Sequence, residues 1–281
     1  MTTPLFDVEG ALVKMPAALA EPIRYTFQVG EHALPVNELL GKRLRIEFTG
    51  EIRCTACDRL TKKSFNQGYC YPCFRKLAAC DTCIMSPEKC HYHQGTCREP
   101  AWGEAHCMVP HVVYLANSSG LKVGITRRSQ VPTRWIDQGA VDALPLLEVA
   151  TRRLAGLVED ACRAHVSDRT NWRTMLKGEA PALDLAAERD TLLAAIAPAL
   201  LELKTEFGED CLWQPTLTGE QLSYPVAAWP KKISTHNLDK VAVAEGVLEG
   251  VKGQYLMLDT GVINIRKYTA YRVRVQVTET D

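Results

Sequence analysis

Nine of the eleven cysteines fall between residues 54 and 107. The first four are spaced Cys54-x-x-Cys57, twelve residues, Cys70-x-x-Cys73. That is the ligand pattern of a zinc ribbon: each pair makes a tight turn that aims two thiolates at one point, and two turns complete a tetrahedron around Zn²⁺. Four thiolates leave no open coordination position, so the chemistry of such a site is structural. Cys80-x-x-Cys83 follows, then Cys90, His91, His93, Cys97, His106 and Cys107. Thiols at this density predict a second zinc on Cys80 and Cys83 with Cys97 and Cys107. Cys90 or His93 are the alternative ligands, and spacing does not choose among them. His91 and His106 read as packing or hydrogen-bonding residues. Cys162 and Cys211 stand alone in helix-like sequence and read as core residues.

A second group of residues lies just downstream. Val113-Tyr114-Leu115 is followed by Lys122-Val-Gly-Ile-Thr126, then Arg134-Trp135, then Glu159 in a helical stretch. This order resembles the GIY-YIG nuclease superfamily over residues 111–175, about a quarter of the chain. The resemblance implies a β-β-α-β-α domain that cleaves phosphodiester bonds with Mg²⁺. It places Tyr114 at the first tyrosine, Gly124 at the second motif's glycine, Arg134 at the helix arginine, Glu159 at the metal-binding glutamate and Asn171 at a downstream polar position. Lys122 stands where the family has its second tyrosine. Gln138 stands where some members have a histidine four residues after the arginine, and it is a poor proton acceptor.

The chemistry implied is coherent in physical terms. Phosphodiester cleavage needs a divalent cation on a phosphoryl oxygen, a fixed positive charge near the developing negative charge, and a proton acceptor for water. Glu159 can anchor Mg²⁺ through its carboxylate. Arg134 can fork onto the phosphorus oxygens. Tyr114 can orient or deprotonate water, and Lys122 can serve as base or phosphate contact. Each residue alone also has a plainer reading. Tyr114 is then a half-buried strand tyrosine, Glu159 a surface carboxylate paired with Arg163 at i+4, and Arg134 with Trp135 a stacked surface pair.

The 281 residues carry no net charge, but the charge is uneven: 11 Lys/Arg against 7 Asp/Glu over 41–110, 10 against 7 over 111–180, and 2 against 8 over 181–230. A mildly basic centre suits a polyanion, although excesses of this size also simply solvate a surface. Lys62 and Lys63, with Arg75 and Lys76, flank the first cysteine turns, among Phe65, Tyr69, Tyr71 and Phe74. With Arg127, Arg128 and Arg134 they are the expected nucleic-acid contacts, the aromatics either stacking on bases or forming the ribbon's own small core. No apolar run reaches membrane-spanning length and no signal-peptide pattern opens the chain, so a cytoplasmic protein without a membrane partner is expected.

The expected fold class is α+β, in five parts. Residues 1–53 are β-rich, with Tyr25–Val29 and Leu44–Phe48 alternating as half-buried strands do. Residues 54–110 are the zinc-binding segment. Residues 111–180 are the α/β part: strand His111–Ala116, turn Asn117–Gly120, strand Leu121–Thr126, a helix from Pro132 to near Gly139, strand Leu144–Ala150 and helix Leu154–Val166. Residues 181–223 are helical and acidic. Residues 224–281 return to short strands at 241–248, 254–258, 262–265 and 271–277. Val8-Glu-Gly-Ala-Leu-Val-Lys14 echoes Ala244-Glu-Gly-Val-Leu-Glu-Gly250, which suggests that the two ends form one barrel-like unit. A Gly-rich turn at 250–255 with Arg266-Lys267 is weak evidence of phosphate binding.

The whole chain also resembles a family of uncharacterised bacterial proteins. The resemblance is carried by the cysteine segment, by Gly95–Gly103, by Lys122–Arg127 with Arg134–Ala140, and by Gly250–Tyr255 with Asn264–Lys267. It supplies no function. Three functions are therefore weighed: a zinc-containing Mg²⁺-dependent endonuclease, a non-catalytic nucleic-acid or ribonucleoprotein binding module, and a zinc-stabilised protein-interaction scaffold. Residue types do not separate DNA from RNA, nor fix the oligomeric state.

Overall fold

The structure is a computed structural model that describes residues 4–178 and 180–280. Its strands are β1 (Phe6–Ala11), β2 (Ala17–Ala18), β3 (Arg24–Val29), β4 (His32–Pro35), β5 (Arg43–Ile52), β6 (His111–Asn117), β7 (Leu121–Arg127), β8 (Asp142–Val149), β9 (Leu212–Trp213), β10 (Glu220–Gln221), β11 (Val243–Lys252), β12 (Tyr255–Leu258), β13 (Gly261–Asn264) and β14 (Tyr271–Thr278). Its helices are α1 (Tyr71–Lys76), α2 (Pro100–His106), α3 (Thr133–Asp137), α4 (Arg152–Arg163), α5 (Trp172–Met175) and α6 (Leu185–Phe207). Among the described residues no helix is long and apolar enough to cross a membrane. The chain packs as two compact units, one of residues 1–75, 176–178 and 222–281, the other of 76–175 and 179–221.

In the first unit the two ends of the chain share one antiparallel sheet, in the order β1-β14-β5-β11-β12-β13. A second, three-stranded sheet runs β2-β3-β4. Strand β14 shows why the large sheet forms: Tyr271, Val273, Val275 and Val277 point inward, while Arg272 and Arg274 point outward. The outward arginines pair across to Glu9 (2.6 Å) and Asp7 (2.6 Å) on β1. Such exposed pairs fix register more than they stabilise. The echoed segments lie on β1 and β11 of this sheet, but the expected barrel does not close among the described residues. Its two outer strands are occupied elsewhere: Leu12, just after β1, bridges Val29, and Val262 of β13 bridges Thr235.

The second unit contains the order β6-β7-α3-β8-α4. Its sheet runs β10-β8-β6-β7, with β9 paired to β8. The turn 118–120 joins β6 and β7 in the register Asn117↔Leu121 and Tyr114↔Gly124. All seven residues of β6 are buried, as befits a central strand covered on both faces. Val113, Leu115, Val123 and Leu147 make one face, covered by Leu154, Ala155, Val158 and Cys162 of α4 and by Leu192 and Ile196 of α6. Strand alternation puts Tyr114, Lys122 and Gly124 on the other face.

Helix α4 sits unusually close to the cysteine segment. A Cβ on Gly156 would lie 2.5 Å from the backbone N of Glu88 and 2.6 Å from Pro87 Cβ. On propensity alone, alanine at a helix interior is favoured over glycine by about 1 kcal/mol. The steric conflict here is with backbone, which cannot swing aside. Gly156→Ala should therefore destabilise the protein, by about 1–3 kcal/mol as overpacked sites do. Urea unfolding followed by fluorescence measures it, and an unchanged or raised midpoint would refute the close seat of α4.

Candidate metal centre and buried polar site

The first zinc pattern is assembled. Cys54, Cys57, Cys70 and Cys73 place their sulfurs within 4.8 Å of one another, and Cys57 Sγ lies 3.7 Å from Cys70 Sγ. Zn–S bonds of about 2.3 Å arranged tetrahedrally put sulfurs about 3.8 Å apart, so the four thiols fit one zinc ion. Local backbone prepares the site. Asp58 adopts φ 54° at the first turn, and Asn66 and Gln67 adopt positive φ before Gly68 at the approach to the second. Burial raises the Cys54 thiol, but backbone N–H groups of Cys70, Ala56 and Cys57 outweigh it and hold Cys54 near 6. Hydrogen bonding with the Cys57 thiol, then burial, pushes Cys73 up to about 12. One thiolate thus forms readily, and a bound cation supplies what the others need to ionise. The aromatics around the site take their plainer role in part: Phe65 stacks on Phe74 at 5.7 Å and tilts against Tyr71 at 5.4 Å. Lys62 and Lys63 are exposed, with Lys63 over the Phe65 ring.

The second cysteine group is arranged differently. Cys83, Cys97 and Cys107 line one small cavity with Cys90, and Cys80 is not among its lining side chains. In this region the three ligand atoms that come within 4.8 Å of one another belong to Asp81, Cys83 and His91. Asp81 is already held by Arg98 at 2.9 Å and caps Thr82 N at 2.6 Å. The set Cys80, Cys83, Cys97, Cys107 expected for a second zinc is not gathered as the first set is. His106 does pack, its ring stacked on Trp102 at 4.2 Å.

The residues singled out in β6, β7 and α3 meet around an amide. Tyr114, fully buried, donates its hydroxyl to Gln138 Oε1 at 2.8 Å. Lys122, 3% exposed, donates to the same oxygen at 2.7 Å and to Thr170 Oγ1 at 2.8 Å. Gly124 makes this possible: a Cβ there would lie 2.8 Å from the Tyr114 hydroxyl oxygen. Trp135 is fully buried with its ring edge-on to Tyr114 at 5.9 Å, so it is a core residue and not a surface partner of Arg134. Burial pushes Tyr114 up to about 12 against the opposing pull of Arg134. Burial and the Arg134 charge bring Lys122 down to about 7, against Glu159 and Asp168.

Glu159 enters from α4, the helix on the opposite face of the sheet, and it is 8% exposed. It does pair with Arg163, at 3.5 Å, as the plainer reading expects, but in a buried setting. Burial raises its pKa, opposed by Arg163 and reinforced by Asp168. Glu88 also acts on it, and Glu88 Oε2 is buried with no hydrogen-bond partner among the described residues. Glu88, Asp168 and Thr170 are the members of this neighbourhood that the sequence did not reveal, and Gln138, which the sequence marked only as a poor proton acceptor, is the acceptor that joins Tyr114 and Lys122. Asn171 caps the turn into α5, accepting from Arg173 N and Thr174 N. Of the expected nucleic-acid contacts in this unit, Arg128 is committed to the buried carboxylate of Glu148 at 3.3 Å and to Thr216, while Arg127 and Arg134 are partly exposed.

A family model described as "Protein of unknown function (DUF2797)" matches residues 41–273. The chain belongs to that family. No curated protein and no solved structure matches it. The DUF2797 match spans both cysteine groups and every residue of the Tyr114–Lys122–Gln138 arrangement, and it begins after β4. It carries no activity with it.

Two outcomes follow from this geometry. The purified DUF2797 chain should carry zinc at the first site, and Cys73→Ser should lose that ion and lower the unfolding midpoint; elemental analysis giving less than one zinc per chain after chelator-free purification would refute the site. Lys122 supplies the second. Its folded pKa, about 7, lies below its ordinary value of 10.5, so between those values the unfolded chain binds more protons. Stability therefore rises with pH across that window, and the Lys122 contribution is lost as pH falls toward 7. Lys122→Met should flatten the pH dependence of stability between about pH 7 and 10. Denaturant titrations of both proteins across that range check it, and parallel curves would refute a depressed Lys122.

Proposed function

We propose that this protein binds nucleic acid and cleaves phosphodiester bonds as a Mg²⁺-dependent, GIY-YIG-like endonuclease, with the zinc ribbon as a rigid structural part. The observation that supports it is the buried pair Tyr114 and Lys122 joined through Gln138, with the partly exposed Arg134 and, from α4, Glu159 acting on both. The β6-β7-α3-β8-α4 order is the one the resemblance calls for.

The roles are distributed by environment. Lys122, neutral in part near pH 7, is the better proton acceptor, and Tyr114, held protonated by burial, is a hydrogen-bond donor. Gln138 is the acceptor that fixes both side chains. Arg134 carries the positive charge for a phosphate. Glu159 is the carboxylate that would hold Mg²⁺, and the unpartnered oxygen of Glu88 fits the same need. Such a cation would polarise a phosphoryl oxygen.

A second reading, a binding module without catalysis, is favoured by one observation: Tyr114 and Lys122 are almost wholly covered. Cleavage and binding assays on DNA and RNA separate the two. For an enzyme, Glu159→Ala should abolish Mg²⁺-dependent cleavage and leave affinity nearly unchanged, because the carboxylate adds no attraction to phosphate. Arg134→Ala should reduce both, and its loss of a phosphate contact should flatten the salt dependence of binding. Binding without cleavage at any divalent metal leaves the module reading. Failure to bind either nucleic acid at low salt rejects both and leaves the scaffold.

A further inference from the structure

We propose that Asp81, Cys83 and His91 hold a second zinc ion, on a ligand set different from the all-cysteine one that the spacing suggests. One carboxylate oxygen, one sulfur and one imidazole nitrogen from these residues lie within 4.8 Å of one another. All three donor types are ordinary zinc ligands. Asp81 is buried, and Cys83 and His91 are partly so. The three side chains line one small cavity with room for about one water-sized sphere, which suits a single ion. The His91 ring is the deciding observation. Its Nδ1 lies 2.8 Å from Thr96 Oγ1, and the Thr96 hydroxyl donates its only proton to His91 O at 3.2 Å. The hydroxyl can therefore only accept from Nδ1, which fixes a ring proton there. The other nitrogen, Nε2, lies 3.4 Å from Asp81 Oδ2. Left bare, it sets a lone pair beside a carboxylate oxygen. An imidazolium would donate to that oxygen, but ionised N–H···O⁻ bonds close to about 2.7–2.9 Å. An ion between the two atoms fits the distance: bonds of about 2.0–2.1 Å at a tetrahedral angle put a nitrogen and an oxygen about 3.3–3.4 Å apart.

The neighbours of the trio are those that orient metal ligands. A ligating imidazole usually donates its other ring N–H, and a ligating carboxylate is itself hydrogen-bonded. Thr96 takes the first part. Arg98 Nε, at 2.9 Å from Asp81 Oδ2, and Thr82 N, at 2.6 Å from Oδ1, take the second. Arg98 uses one lone pair of Oδ2 and leaves the second for the ion. The ion would also have a mechanical effect. Cys83 and His91 bracket Pro87 and Glu88, the turn against which α4 is seated at Gly156. Joining the two ligands closes that loop and fixes the support of the helix.

The test is metal analysis of the full chain, purified without chelator. The expected result is two zinc ions per chain, one of them the ribbon's. Cys83→Ser and His91→Ala should each hold about one, and Cys80→Ser should keep two. A single zinc in the wild type would overturn the proposal, as would two in His91→Ala. Cadmium substitution tests the unaltered chain, so a variant that fails to fold does not obscure the answer. Cadmium NMR should show one resonance in the four-thiolate region and a second well upfield of it, where oxygen and nitrogen replace sulfur. Two four-thiolate resonances would overturn the ligand set in favour of the clustered cysteines. Nitrogen NMR of the histidine rings should show His91 protonated at Nδ1 and metal-bound at Nε2. Protons on both nitrogens would mean a plain ion pair with Asp81 and would overturn the ion between them.

Discussion

The close seat of α4 on the Pro87–Glu88 turn is the contact on which the second unit depends. Only a glycine at 156 lets the helix come this near, since a Cβ would meet backbone at 2.5 Å. Three consequences share that approach. The apolar stripe of Leu154, Ala155, Val158 and Cys162 reaches the sheet. Arg152 at the helix start ties both its backbone and its guanidinium into the cysteine segment. Glu159, three residues after Gly156 and so on the same stripe, is carried into a buried setting next to Glu88. A metal-bound cysteine segment would therefore hold more than itself. It would fix the support on which the helix and its glutamate rest.

The site's electrostatics follow from the same burial. Removing Tyr114 and Lys122 from water disfavours the charged form of each, so burial moves their pKa values in opposite directions. What results is a neutral phenol and an amine neutral in part near pH 7, sharing one amide oxygen. An amide suits that place better than a carboxylate or an imidazole. It accepts from both neighbours without adding a charge that would have to be compensated in a low-dielectric interior. Gln138, which in sequence looks like a lost catalytic histidine, is in structure the residue that organises the pair.

Much of this was legible in the sequence where local pattern decides the outcome. The hairpin 111–127 followed from alternating apolar residues around Asn117-Ser-Ser-Gly120, and the ribbon from two cysteine pairs at a fixed separation. Legibility failed where distant segments decide. The echo between the chain ends correctly joined them in one sheet, but it could not show that Leu12–Val29 and Thr235–Val262 bridges occupy the outer strands and leave the sheet open. Trp135 beside Arg134 read as a surface stack because sequence does not show which face of a five-residue helix is covered. Glu88 was invisible among cysteines, since nothing in its neighbours marks a carboxylate whose charge acts on Glu159 of α4. In the second cysteine group, spacing along the chain could not show that Cys83, Cys90, Cys97 and Cys107 line one small cavity without Cys80, because which side chains meet there is a tertiary property.

If phosphate is the ligand of the buried polar site, binding and protonation are linked. An anion near Lys122 favours its ammonium form and so raises the pKa that burial had lowered. Near neutral pH, part of the population then takes up a proton on binding, and affinity falls as pH rises through the free protein's value of about 7. The same protonation removes the amine as a base. Tight ground-state binding of phosphate at Lys122 therefore works against catalysis by Lys122. A productive complex needs Arg134 to carry the phosphate, leaving the lysine to the water. In such a complex Arg134 on α3 would carry the phosphate and the Lys122 amine on β7 would serve the water, the division of labour that the proposed cleavage requires.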